Sequence, residues 1–175
     1  MKSKNKLPDE CHPDLLAAHQ FAYDPSGFVC TLAPQKELES KEYEALLFEL
    51  NNKRIRFRVA KITPKKIGQF VTFWKRMGAG PIMPYDLADP FDFFVVSVRS
   101  NDLLGQFIFP KIELCRQGIL SKSGKGGKRA IRVYPPWDKP ESQQAEKSQQ
   151  WQINYFLEIP QNGMLDIERA KKLFF

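Results

Sequence analysis

Alternation of apolar and polar residues marks the clearest element of the chain, a β-hairpin. Tyr43–Leu50 and Arg54–Ile62 both follow the two-residue period of a half-buried strand, and residues 51–53 between them are typical of a turn. A register that sets Leu50 opposite Ile55 collects the large apolar side chains on one face. The sequence therefore predicts this register, which keeps the arginines of the second strand out of the buried face.

Helical spacing follows the hairpin. Thr63 suits an N-cap and Pro64 a first helical position, and apolar residues recur at positions 67, 70, 71, 74 and 77. The pattern predicts an amphipathic helix from Pro64 that ends at Gly78. Further helices are predicted at four places: His12–Tyr23, the residues after Pro110, a long segment from Asp138 or Ser142 to about Leu157, and Asp166–Phe175.

An almost continuous apolar run predicts a strand of a different kind. Phe91–Arg99 is apolar at nearly every position, which is typical of a strand buried on both faces, and a second strand, Leu104–Phe109, follows after a turn. A further strand is predicted at Lys128–Tyr134. The order of elements predicts an α+β fold in one domain over residues 1–175, with a mixed, largely antiparallel sheet packed against helices.

The composition is that of a folded protein. Of the 175 residues, 42% are hydrophobic and 13% aromatic, which excludes a disordered or low-complexity chain. No apolar run approaches the roughly 18 residues of a membrane span, and the basic first six residues precede no apolar segment of a secretory signal. Three scattered cysteines form no CxxC pair and argue against a disulfide framework. We expect a cytoplasmic protein that does not associate with a membrane.

Charge is distributed unevenly along a chain whose net charge is +7 at pH 7. Nine basic residues and no acid lie between Glu49 and Asp86, and six basic residues and no acid lie between Glu113 and Asp138, so the remainder has a net charge of −8. We call these two stretches the first and second basic segments. Such segregation favours a polyanionic partner, nucleic acid first, unless the acidic parts fold against the basic ones and cancel them locally.

The first basic segment contains a candidate anion site, where the predicted hairpin meets the predicted helix. Lys65 and Lys66 stand in the first helical turn, where the helix dipole disfavours positive charge by about 0.3–1 kcal/mol per residue. An anion bound there by backbone N–H groups and nearby side chains would explain this cost. The alternative is that both lysines extend into solvent. The candidate phosphate-binding residues of this junction are Arg58, Lys61, Thr63, Lys65 and Lys66.

The second basic segment contains a glycine- and lysine-rich loop, residues 121–127, followed by a strand. The loop differs from a nucleotide-binding P-loop, because glycine stands where Ser or Thr would follow the lysine and because a strand follows it. It is interpreted either as a flexible loop over a phosphate backbone or as a plain surface loop. In the strand, Arg132 and Tyr134 share one face and suit phosphate contact and base stacking, beside Lys128 and Arg129. Two tryptophans are further stacking candidates unless they belong to the core: Trp137 and Trp151.

Candidate catalytic groups are sparse. The only histidines, His12 and His19, lie outside the basic segments and match no zinc-site spacing, so no catalytic residue, metal site or cofactor is predicted. A cluster of aspartates near the basic segments leaves one enzymatic alternative open, a Mg²⁺-dependent nuclease or phosphodiesterase. The order of elements departs from common nuclease cores, and the aspartates also suit turn caps. The acids of this alternative would be Asp86, Asp89 and Asp92, or Glu44 facing Lys61 in the hairpin.

Four blocks, in order along the chain, resemble the MepB-like proteins. They are FRVAKITPKKIGQFV with WKR (57–71 and 74–76), GQFIFPK (105–111), GKRAIRVYPPW (127–137), and QQWQ with YFL (149–152 and 155–157). The resemblance covers about residues 40–157. It implies a bacterial α+β domain with no established enzymatic activity, compatible with nucleic-acid binding, and its blocks contain both groups of candidate phosphate-binding residues.

The expected function is nucleic-acid binding through the phosphate backbone, without a catalytic constellation and with DNA or RNA as the partner. Two alternatives stay open. One is the Mg²⁺-dependent nuclease, and the other is an interaction protein whose basic face binds an acidic partner or a phosphorylated ligand.

Overall fold

A computed structural model describes residues 5–175 of the chain as an arrangement of strands with short helices. The strands are β1 (Cys30–Lys36), β2 (Leu46–Leu50), β3 (Lys53–Val59), β4 (Lys61–Thr63), β5 (Lys66–Thr72), β6 (Trp74–Arg76), β7 (Ile82–Pro84), β8 (Phe93–Ser100), β9 (Leu103–Pro110), β10 (Ala130–Val133) and β11 (Phe156–Glu158). The helices are α1 (Pro13–Ala18), α2 (Lys111–Arg116), α3 (Gln143–Ile153) and α4 (Ile167–Phe174). A π-helical turn, His19–Tyr23, continues α1, and a 3₁₀ turn, Lys41–Tyr43, precedes β2.

Six strands form the main sheet, in the order β1-β2-β3-β8-β9-β11. All neighbours in it are antiparallel except β3 and β8, which pair in parallel. A second sheet has the order β10-β5-β4, and β6 pairs with β7 in a separate hairpin. The predicted α+β fold with a mixed, largely antiparallel sheet is confirmed.

Separate apolar clusters cover the two faces of the main sheet. The first contains Leu15 of α1 and Phe174 of α4, and Val95 of β8 points into it. The second contains Leu114 of α2, and Phe94 of β8 points into it. All of these side chains are fully buried, so the prediction of a strand buried on both faces is confirmed.

The β2–β3 hairpin has the predicted apolar face in a different register. Its loop is Asn51 and Asn52, with φ of 48° and 64°, so Leu50 pairs with Lys53 and not with Ile55. Positive φ at both positions is the type I′ geometry that matches the twist of a hairpin, and asparagine tolerates it. The predicted pairs are therefore wrong by two residues. Because side chains alternate with a period of two, such a shift leaves the same residues on the apolar face.

The opposite face of β3 is also buried, because the second apolar cluster covers it. Arg58 is 0% exposed, and its Nη1 lies 2.5 Å from Oε2 of Glu37. Arg56 contacts the other oxygen of the same carboxylate. The hydroxyl of Tyr85 lies 3.1 Å from Nη2 of Arg58 and 3.3 Å from Nη1 of Arg56. These arginines therefore pair inside the protein, and the prediction that they avoid burial is wrong.

The prediction of a helix from Pro64 is wrong, because this segment forms a turn, β5 and β6, directly after β4. Phe70 of β5 lies opposite Lys61 of β4 on one side and opposite Arg132 of β10 on the other. The segment is rich in β-branched and aromatic residues, and Gly68 has a φ of +84°, outside the helical range. Its apolar residues fit helical spacing only because β5 is buried on both faces. The argument for a phosphate site at the N-terminus of this helix therefore loses its basis.

Outside the segment after Pro64, three strands lie where the sequence predicts none. One is β7, which pairs with β6. The edge strand β1 occupies the polar connector before the hairpin, and its pairing with β2 is interrupted by register shifts. β11 follows α3, which ends at Ile153 and not near Leu157. The helices at both ends of the chain and the helix after Pro110 are confirmed. The described part of the chain has no helix long and apolar enough to cross a bilayer. Most of the basic N-terminus lies in residues 1–4, outside that part.

Candidate functional site

A groove lies between β10 and α3. One part of it is a cavity of about 360 Å³ between the strand and the helix, and a second part of about 300 Å³ adjoins the turn between β4 and β5. Arg132 and Tyr134 on the strand side, and Ser142 and Ala145 on the helix side, line both cavities. The two cavities therefore adjoin each other, and we call them together the α3 groove.

The α3 groove brings together bases from both basic segments. Lys65 and Lys66, at the β4–β5 turn, line the second cavity, and Lys128 lines the first. Arg132 lines both. One acid, Glu141, also lines the second cavity, where three bases oppose it. The pairing of β5 with β10 thus joins the two segments on one surface.

The lysines of the β4–β5 turn lie beside the N-terminus of α3. Ser142 is the N-cap of this helix, and its hydroxyl accepts a hydrogen bond from the backbone N–H of Ala145 at 3.2 Å. Both residues line the same cavity as Lys65 and Lys66. A helix N-terminus carries partial positive charge, so the helix and the lysines reinforce each other in this cavity.

The side chain of Arg132 is held in place by the β4–β5 hairpin. Its Nη2 donates to Oγ1 of Thr63 at 2.7 Å, and its Nη1 donates to the carbonyl oxygen of Gly68 at 3.2 Å. Its guanidinium carbon lies 5.9 Å from the ring centre of Phe70. Thr63, predicted to bind phosphate itself, thus orients an arginine that lines the groove.

Tyr134 is held from two sides. Its ring lies over Gly68, where an added Cβ would come within 2.6 Å of Cε1. Its backbone N–H donates to Oε1 of Gln152 at 2.8 Å, and Nε2 of Gln152 donates to the carbonyl oxygen of Arg132 at 3.0 Å. Gln152 is 1% exposed. Its buried amide joins α3 to β10 by hydrogen bonds to backbone groups, as a neighbouring strand would do with its own backbone. The width of the groove follows from these contacts.

Ion pairs cancel only part of the charge of the basic segments. Six of the fifteen bases have an acidic partner within 4.0 Å: Arg54, Arg56, Arg58, Lys75, Arg76 and Arg116. Within residues 5–175 the other nine have none: Lys53, Lys61, Lys65, Lys66, Lys122, Lys125, Lys128, Arg129 and Arg132. All four bases that line the α3 groove belong to this unpaired group.

Three other predicted site residues lie outside the lining of the groove. Lys61 is exposed, and its Nζ lies 4.7 Å from the ring centre of Tyr43. Arg129 is exposed just before β10. Arg58 is buried against Glu37 and is closed to a ligand. The structure thus brings Lys65, Lys66, Lys128, Arg132 and Tyr134 together, with Lys61 on β4 and Arg129 just before β10.

The glycine- and lysine-rich loop is anchored by one carboxylate. Oδ2 of Asp86 accepts hydrogen bonds from the Ser121 hydroxyl at 2.7 Å and from the backbone N–H of Gly124 at 3.0 Å. Oδ1 accepts from the backbone N–H of Ala88 at 2.9 Å. These hydrogen bonds, that from Ala88 most of all, lower the pKa of Asp86 to about 2. The backbone that bears the lysines of this loop is therefore held in one conformation by Asp86.

The other acids of the nuclease alternative also have structural partners. Oδ1 of Asp89 lies 2.5 Å from Nζ of Lys75, and Oδ2 of Asp92 accepts from the backbone N–H of Arg54 at 2.8 Å. Glu44 lies before β2 and outside its pairing with β3. In residues 5–175 no three side chains of His, Cys, Asp or Glu are grouped as metal ligands. The aspartates thus act as turn and strand-edge groups.

The helical wall of the groove was largely missed by the sequence prediction, which named only Trp151 as a stacking candidate. A detectable signal was the polarity of α3, since a helix without an apolar stripe cannot be held mainly by hydrophobic packing. Two of its glutamines replace that packing with hydrogen bonds to backbone groups. The residues of this wall include Ser142, Gln144, Ser148 and Trp151.

Comparisons with known proteins give one family and two similar structures. The profile of the MepB-like family matches residues 37–158. The crystal structure of MepB is similar at 35% identity with a TM-score of 0.70, over 75% of this chain and 87% of that one. A bacterial homing endonuclease is similar at 18% identity with a TM-score of 0.42, over 78% of this chain and 84% of that one. No curated protein matches the chain.

Proposed function

This chain belongs to the MepB-like family, whose matched segment contains every residue that lines the α3 groove, and we propose that the protein binds nucleic acid through phosphate contacts in this groove. The observation that carries the proposal is the convergence of four unpaired bases from two distant segments. Lys65, Lys66, Lys128 and Arg132 would contact phosphates, with Tyr134 placed for stacking against a base.

The unpaired bases have a physical consequence for binding. A surface base that already has an acidic partner gains little from a phosphate, since it must give up the first pair. The four bases of the groove have no such partner, so a bound phosphate backbone adds ion pairs without breaking any. Release of condensed counterions from the nucleic acid then drives association.

The extent of the basic surface favours a polymer over a small phosphorylated ligand. The two cavities of the groove adjoin each other, and each is large enough for a separate part of a ligand. Lys61 on β4 and Arg129 just before β10 lie outside the groove, at the three-stranded sheet. A longer ligand would therefore meet further positive charge. A nucleic-acid backbone carries the repeating charges that such a surface matches.

Fluorescence anisotropy with labelled DNA and RNA at several salt concentrations tests the proposal. If five to eight phosphates are neutralised, the log–log slope of affinity against salt for duplex DNA is expected at roughly −4.5 to −7. A flat salt response would contradict the proposal. Failure of nucleic acid to compete with an acidic protein or a phosphorylated ligand would instead support the interaction-protein alternative.

The double variant Lys65→Ala, Lys66→Ala should weaken binding and reduce the steepness of the salt slope by about 1.8, because each lost phosphate contact removes about 0.9. We expect affinity to fall roughly three- to thirtyfold. The matched control is Lys171→Ala, Lys172→Ala, which removes the same charge from exposed positions on α4 outside the groove. Equal losses in both variants would mean that net charge, and not the groove, drives binding.

Mg²⁺-dependent cleavage that Asp92→Asn abolishes would establish the nuclease alternative.

A further inference from the structure

The two ends of the α3 groove differ in chemistry. The end at the β4–β5 turn is basic, with Lys65 and Lys66 in its wall. The other end is walled by uncharged polar groups and an aromatic ring, and a further cavity of about 530 Å³ continues from it along α3. The residues shared by the groove and this further cavity are Gln117, Gln144, Ser148 and Trp151. Phosphate contacts alone do not explain such a wall.

The polar groups of this end are free to bind a ligand. The glutamines Gln149 and Gln152 of α3 use their amides on backbone groups of the protein. In the described residues, by contrast, the amide of Gln144 and the hydroxyl of Ser148 have no hydrogen-bond partner. Gln117 donates from Nε2 to Glu113 at 2.9 Å, which leaves its carbonyl oxygen as an acceptor. Several donors and several acceptors therefore line one side of the groove.

Two fixed aromatic rings stand beside these groups. Trp151 packs on Phe109, with ring centres 5.2 Å apart, and also lines the groove. Tyr134 lies over Gly68 and lines the groove from the strand side. Because packing already holds both rings, a flat ligand that stacks on either of them orders no additional side chain.

From this combination we infer that the polar end of the α3 groove is a pocket for one nucleobase, which deepens the proposed function and rests on it. The base stacks on Trp151 or Tyr134, and its edge bonds to Gln144, Ser148 and the free oxygen of Gln117. Its own phosphate lies on Lys128 and Arg132. An amide pairs well with a base edge that offers one donor and one acceptor, so the pocket distinguishes bases and does not only hold them. The cavity, about 360 Å³, is in the size range of small-ligand sites.

Short labelled oligonucleotides test the pocket separately from the phosphate contacts. We would compare oligo-dA, oligo-dC and oligo-dT of one length with an abasic oligomer that has the same phosphates and no bases. The abasic oligomer should bind about five- to 150-fold more weakly at the same salt concentration, because stacking is lost. Its salt slope should be unchanged, because the phosphates remain. Equal affinity for abasic and base-containing oligomers overturns the pocket and leaves the proposed phosphate binding standing.

The variant Gln144→Ala tests base recognition. We expect the wild-type protein to rank the three oligomers with differences of about five- to 150-fold, and the variant to bring them within about twofold of one another with the same salt slope. The matched control is Gln143→Ala, an exposed glutamine in the same helical turn that lines neither the groove nor the further cavity. A base ranking that survives in Gln144→Ala overturns the inference. Absence of binding to these oligomers and to the DNA and RNA of the anisotropy experiment overturns the proposed function itself.

Discussion

The ring of Tyr134 lies directly over the backbone of Gly68, and this contact depends on the absence of a side chain. A Cβ at position 68 would come within 2.6 Å of the ring and 3.0 Å of the carbonyl oxygen of Val133, and the φ of +84° is itself strained for other residues. We expect Gly68→Ala to lower the free energy of unfolding by about 2–5 kcal/mol, combining strain with overpacking. Urea denaturation followed by circular dichroism measures this change.

The control for Gly68 is another glycine with positive φ. Gly118 has a φ of +69°, and a Cβ there would meet nothing within 4 Å. Gly118→Ala should therefore cost only the backbone strain, about 1–2 kcal/mol. If both variants lose the same stability, the ring of Tyr134 does not need the space at Gly68. Of the two variants, only Gly68→Ala should weaken nucleic-acid binding, because it displaces Tyr134 in the groove.

At the scale of elements, the loop of residues 121–127 shows how one carboxylate sets a local structure. The pKa of Asp86 is about 2, below its ordinary value of 3.8, because its oxygens accept hydrogen bonds from Ala88, Ser121 and Gly124. As the pH falls, the unfolded chain therefore takes up this proton before the folded one does. The stabilisation is complete above about pH 4 and is lost toward pH 2.

A pH series of melting temperatures tests this role of Asp86. Asp86→Asn cannot titrate, so its Tm should fall less between pH 4 and pH 2 than the Tm of the wild-type protein. Other carboxylates titrate in both proteins and cancel in the comparison. Parallel Tm curves over this range would show that the hydrogen bonds to Asp86 do not favour its ionised form.

The same scale shows what the sequence can and cannot predict. The β2–β3 hairpin was predictable because alternation is specific to a half-buried strand, and β8 was predictable because its apolar run is short, rich in Phe and Val and bounded by turn residues. The segment after Pro64 was not, because a short strand buried on both faces has apolar residues that also fit a helix. The local signs against the helix were Gly68 in its middle, the β-branched and aromatic content of the segment, and two lysines in the predicted first turn. Lys65 and Lys66 were predicted as site residues from a helix that does not form, and the N-terminus of α3 lies beside them instead.

Long-range pairing explains why the helical wall of the candidate site was less predictable than its strand side. The strand residues Arg132 and Tyr134 belong to a local alternating pattern, which the sequence displays directly. The helical wall depends on Gln152, a polar residue buried by hydrogen bonds to a strand about twenty positions away. No periodicity marks such a residue. For the same reason, the burial of Arg58 was not visible, since the acid that pairs with it lies in another strand region.

On the scale of the whole molecule, Glu37 joins three parts of the fold. It follows β1, and its carboxylate pairs with Arg56 and Arg58 of β3, while Tyr85 beyond β7 contacts both arginines. Burial raises the pKa of Tyr85, although the charge of Arg58 opposes this effect, so the tyrosine stays neutral and donates or accepts as required. The two arginines exceed the single acid in charge, and the cluster tolerates this excess only while the acid is present.

Replacement of Glu37 should therefore destabilise the whole protein. Glu37→Gln leaves the fully buried guanidinium of Arg58 without a counter-charge, and breaking a buried pair in this way costs about 3–5 kcal/mol. The matched control is Glu39→Gln, whose pair with Arg76 lies at 3.4 Å with both side chains more than a third exposed, so a loss of at most about 1 kcal/mol is expected. Chemical denaturation at neutral pH measures both values. Equal, small losses would show that Arg58 finds another partner or reaches water, and Arg58 would then return as a candidate ligand for phosphate.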